Sequence, residues 1–183
     1  MILYGAVIAG LLFLAFAFFA VAQAGSVRNG GQSAADAAAL AAAQDDRDEL
    51  YEGFLDDLGN GDDWQDWLDG LASLTGDGCG EAEYFAGRNR SDVLACDAVT
   101  KDGDDGYTVK VRTRFDTGDS IVPGADNKKA QASATAVIKP RCEFEDDAEL
   151  IEITCDGEDF TIDPDDIDLD LKPSDLFSVV LVG

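Results

Sequence analysis

The chain has 183 residues, with 38 acidic side chains against 13 basic ones, no histidine and a net charge of −25. Its length holds one modest globular domain plus an accessory segment. The whole-chain charge excludes a nucleic-acid-binding surface, because nothing in the balance neutralises a run of phosphates, and it repels an anionic membrane surface. Every charged side chain lies after residue 27, so the two parts of the chain suit different solvents.

Residues 2–22 read ILYGAVIAGLLFLAFAFFAVA, with no charged side chain. A helix of about 20 apolar residues crosses a hydrocarbon core of roughly 30 Å, and helix satisfies its own backbone polar groups there. Gly5, Gly10 and several alanines give it small surfaces that allow close helix–helix approach. Ala22-Gln23-Ala24 matches a signal-cleavage pattern. The apolar run, however, exceeds the ~7–15 residues of a signal core, and no basic segment precedes it. The expectation is a retained anchor over residues 1–24, N-terminus inside and C-terminal part outside.

Past the glycines Gly25, Gly30 and Gly31, alanine dominates, the best helix former. Ala34, Ala38, Ala41 and Leu40 fall at helical spacing, followed by Leu50, Phe54, Leu55 and Leu58 opposite an aspartate-rich face. A second helical stretch over 25–58 therefore continues the anchor, with a kink expected at the glycines and an end near Gly59-Asn60-Gly61. The alanine stripe has two readings: packing against the chain's own domain, or packing between copies as in a filament core.

The run from Arg28 to Ala43 (RNGGQSAADAAALAAA), directly behind a single N-terminal span, resembles the signature of Tad (tight-adherence, Flp pilus) assembly proteins of the TadE/TadG-like group. The longer block from Leu11 to Gln44 is similar to actinobacterial TadG-related proteins. The resemblance implies a pilin-like protein, held by its N-terminal helix and presenting a small domain outside the cell. It also implies self-association, or association with other pilus components. Type IV-like pilins usually carry glutamate at the fifth mature position, where this chain has Gly5.

Residues 59–183 are expected to form an exported acidic α+β domain, a small antiparallel disulfide-bonded sheet packed on the long helix. Trp64, Trp67, Leu68, Leu71 and Leu74 have amphipathic spacing, which predicts a short helix starting near Asp62-Asp63 with the tryptophans as core anchors. Cys79, Cys96, Cys142 and Cys155 are spaced unlike zinc ligands and have no histidine beside them; behind an anchor they read as disulfides. Of three possible pairings, the sequence-local one (Cys79–Cys96, Cys142–Cys155) is preferred, each closing a loop worth about 3 kcal/mol in the chain-entropy account. Alternation predicts strands over 107–115, with Tyr107, Val109, Val111 and Thr113 on one face, and over 128–139, with Ala130, Ala132, Ala134, Ala136 and Ile138 on one face. A hairpin turning at Asp156-Gly157 and a last strand over 176–182 complete the sheet.

No catalytic constellation is visible: there is no histidine base, nucleophile elbow or phosphate-binding glycine loop. The aspartate clusters at 102–106 and 163–170 miss the EF-hand register and read as a turn and a solvated loop, so no metal or cofactor is expected. The sequence points to a non-enzymatic structural protein, with a tethered binding module that never polymerises as the alternative.

Overall fold

A computed structural model describes residues 2–60, 64–118, 127–144, 151–162 and 171–183. It is α+β, as the patterning predicts. One helix, α1 (Ile2–Asn60), runs for 59 residues, about 88 Å at 1.5 Å per residue. Behind it come α2 (Trp64–Leu68), α3 (Gly78–Arg88), β1 (Ser91–Lys101), β2 (Asp104–Thr113), β3 (Gln131–Pro140), β4 (Cys142–Phe144), β5 (Ile151–Cys155), β6 (Glu158–Ile162), α4 (Pro173–Leu176) and β7 (Phe177–Val182). The strands form two antiparallel sheets, β1-β2-β3-β7 and β4-β5-β6.

α1 stays helical through Gly25, Gly30 and Gly31. Two of these glycines serve close approach. A Cβ on Gly30 would stand 2.7 Å from Phe115 Cζ, and one on Gly31 only 3.2 Å from Ala130 Cβ and 3.3 Å from Thr113 Cγ2. The sheet lies so near the helix axis that only hydrogen fits, and tertiary packing outweighs the weak helix propensity of glycine.

The face of the sheet toward α1 carries the side chains the alternation selected. Val109, Val111 and Thr113 of β2 are buried there, and so are Ala134, Ala136 and Ile138 of β3. In the register Val109 pairs with Ala134 and Val111 with Ala132, so each large side chain stands beside a small one. The Asp156-Gly157 turn joins β5 to β6 with both residues at positive φ (50° and 88°), the conformation a two-residue hairpin needs. Asp102 (φ 58°) and Gly103 (φ 99°) do the same between β1 and β2, which is the turn read at 102–106.

Both disulfides pair as preferred: Cys79–Cys96 fastens α3 to β1, and Cys142–Cys155 joins β4 to β5. Arg141 ties the second sheet to the chain's end. Its guanidinium pairs with Asp156 and donates to the Ser174 carbonyl, and its amide donates to the Leu176 carbonyl at 2.9 Å.

Two expectations are corrected. The short helix stops at Leu68, because Gly70 turns the chain at φ 71°. Leu71, placed on the same apolar face by spacing, is 74 % exposed. The aspartates at 62–63, the start of the hairpin at 149–150 and the acidic loop at 163–170 lie outside the described residues. The tryptophans do act as anchors. Trp64 meets Phe54 and Phe144 edge-on, with centroids 6.2 and 5.1 Å apart, and Trp67 donates its indole N–H to Asp57 at 2.6 Å.

Candidate functional site: a helix with two solvents

The segment with the clearest chemical demand is α1 itself. From Leu3 to Ser26 almost every side chain is exposed, including Phe13 (68 %), Phe18 (80 %) and Phe19 (64 %), and the helix stands clear of the folded body for about 36 Å. Its most apolar window has a mean hydropathy of 2.5, with none of it buried in the protein. An apolar patch of this extent does not persist against water; it marks a membrane or a protein contact. The helix is long and apolar enough to cross a bilayer, and is compatible with a membrane anchor.

At Val27, 4 % exposed, the same helix enters the body. From there α1 is covered on two sides, by α3 and by the sheet through β2 and β3. That explains the alanine density: a helix pressed between two layers has no wide face for bulky side chains. Ala34 and Ala38 are fully buried, Ala41 is 6 % exposed, and Leu40 packs at the margin of the same core. Ala35, Ala39, Ala42 and Ala43 are buried with them. The stripe is therefore filled by the chain's own domain. Of the two readings of Ala34, Ala38 and Ala41, the burial fits packing against the chain's own domain, since the surface they would offer to another copy is already taken. The part of α1 open to another helix is the projecting half.

Among the described residues the buried titratable group is Asp46, 6 % exposed on the inward side of α1. Tyr107 donates its hydroxyl to Asp46 Oδ1 at 3.2 Å. Burial pushes the carboxyl up to about 6, against the lowering effect of that hydrogen bond and with help from the nearby charges of Asp45, Glu49 and Asp105. Burial and the Asp46 charge likewise push the Tyr107 phenol above its ordinary range. Glu49 goes the other way. Its burial would raise it, but the Thr75 hydroxyl and the amides of Thr75 and Gly76, all within 2.8 Å, together hold it below the usual range. No group of metal-ligating side chains converges among the described residues.

Asp46 still leaves a measurable trace. Because its pKa is raised in the fold, its contribution to stability is full below the unfolded value near 4 and is lost as pH rises through about 6. At pH 7 the buried charge costs about 1–3 kcal/mol. Asp46→Asn keeps an acceptor for Tyr107, so it should raise the melting temperature at pH 7 and make no difference near pH 4. Comparing the two proteins cancels the common response of the remaining carboxylates. A variant less stable than the parent at pH 7 would contradict this assignment.

α3 and β1 escaped the sequence patterns. Three glycines within eleven residues (Gly78, Gly80, Gly87) mask α3. Its one legible signal is Asp77, whose carboxylate caps the first turn by accepting from the Gly80 amide at 3.0 Å. β1 carries an irregularity between Val93 and Ala95 that shifts the alternation by one residue midway. No protein-family model, curated protein or solved structure matches the chain.

Proposed function

We propose that this chain is a pilin-like structural protein, a subunit, minor pilin or assembly component of a Tad-type pilus, without catalytic activity. The observation that carries the reading is the division of α1 at Val27: an uncovered apolar half ahead of it, and a half behind it that forms the core of a small antiparallel domain. A helix built this way transfers its apolar half from bilayer to helix bundle without altering the domain. The two disulfides suit an oxidising compartment and so support a domain outside the cell with the N-terminus inside.

One observation favours a second reading, a membrane-tethered module that does not polymerise. The alanine face is consumed within the subunit, so contacts between copies fall to the projecting half of α1 and the domain surface. Electron microscopy of material sheared from producing cells, with an antibody to the acidic domain, separates the two. Filaments labelled along their length support a pilus subunit, and labelling at tips supports a minor pilin. Label confined to membrane fragments contradicts the pilus reading and favours the tether.

A further inference from the structure

The acidic balance of the chain is not uniform over its surface. β2 runs antiparallel to α1, so the Thr113 end of the sheet meets Gly31, where the apolar helix leaves the body, while Tyr107 meets Asp46 further on. Three connections converge at the Thr113 end: the turn from α3 to β1, the chain leaving β2, and the chain entering β3. They are stitched together by the Arg114 amide donating to the Arg90 carbonyl (2.8 Å), Thr113 to Ala130 (3.0 Å) and Thr117 to Lys128 (3.1 Å).

This end holds Arg28, Arg88, Arg90, Arg112, Arg114, Lys128 and Lys129, all exposed, which is seven of the chain's 13 basic residues. Within segments 88–92, 112–118 and 127–130 the acidic residues are Asp92, paired with Arg114 at 2.7 Å, and Asp116. Asp119 and Asp126 in the intervening sequence leave the balance positive. Elsewhere the chain is overwhelmingly acidic. Aromatic rings accompany the cations: the Arg90 guanidinium lies 5.1 Å over the Phe115 ring, and that of Arg88 5.8 Å from the ring of Tyr84, itself 55 % exposed.

We propose that this end is a basic collar that seats the domain on anionic lipid headgroups around the emerging helix; the proposal rests on α1 being a membrane anchor. Arg28 follows Ala22 by six residues, about 9 Å along the helix, against a headgroup layer of about 5–8 Å on each side of the hydrocarbon. Arg28 at the foot of the collar thus lies within one Debye length, about 8 Å, of lipid phosphates. Each cation held there strengthens attachment about fivefold. The repulsion implied by the whole-chain charge is reversed locally, and the acidic remainder is held on the side away from the bilayer. The domain sits on the surface instead of swinging from a flexible stalk.

The test uses the full chain in lipid nanodiscs, either phosphatidylcholine alone or with phosphatidylglycerol added. Amide hydrogen exchange is followed over 88–92, 112–118 and 127–130, with the opposite turn at 102–103 as internal reference. Exchange of the three collar segments should slow at least about fivefold in the anionic discs, recover at high salt, and show a weaker lipid dependence in Arg88→Glu and a still weaker one in Lys128→Glu/Lys129→Glu. Those side chains are exposed, so unchanged melting temperatures show that the variants fold. Equal exchange in both discs, with the chain inserted, overturns the collar and leaves the anchor standing. Failure to enter either disc overturns the anchor and the collar with it. Protection that tracks the number of copies per disc, whatever the lipid, overturns the collar in favour of contact with a neighbouring copy's acidic surface.

Discussion

Ala38→Trp should severely destabilise the folded domain. Ala38 is fully buried two turns beyond Gly31 on the same side of α1, in a core that includes Ala34, Ala42, Ala134 and Ala136. Overfilling a close-packed site costs typically 1–3 kcal/mol and occasionally more. Here the inserted ring must separate a whole helix from the layers that hold it, so the loss should exceed about 3 kcal/mol out of a domain stability of ~5–15 kcal/mol. Thermal unfolding and near-ultraviolet circular dichroism of the full chain in detergent check it. A variant that melts like the parent, yet no longer assembles, would return the alanine stripe to the role of an interface between copies.

Removing Cys79–Cys96 by replacing both residues with serine should cost about 3 kcal/mol. The bridge spans 17 residues of sequence and joins α3 to β1. α3 has three glycines, and β1 is an edge strand whose only sheet partner among the described residues is β2. Loss of the bridge should release α3 from α1 first and expose the alanine side that α3 covers. Denaturant unfolding should show the lower midpoint, and hydrogen exchange should place the earliest opening at residues 78–101. A loss below about 1 kcal/mol, or first opening at β5 and β6, would show that the sheet and not the bridge holds α3 in place.

These two positions also show how far the sequence could be read. The local code was strong where one physical rule acted alone. The Tyr107 strand alternates without interruption, the Asp156-Gly157 pair fits one turn, and the apolar run is too long for any shorter element. It was weak where tertiary packing decided the outcome. Gly30 and Gly31 look like a break in helix propensity, and only the approach of Phe115, Thr113 and Ala130 shows why they are needed. The alanines fit a filament core and an enclosed core equally well by composition, and α3, whose glycines hide it, decides between them. Leu71 obeys the helical spacing, yet Gly70 has already ended the helix. The basic collar is scattered through the sequence between residues 28 and 129, and it becomes a surface only when antiparallel strands bring their ends to the root of α1.

The division of α1 into a lipid-facing half and a domain-core half is the claim on which the rest depends. Intact-mass analysis of the protein recovered from membranes of producing cells after alkaline carbonate extraction tests it most directly. The division predicts a chain that stays in the membrane pellet with its apolar residues attached. A mass corresponding to a start at Gly25, with the protein in the soluble fraction, would contradict it and leave a released acidic domain in its place.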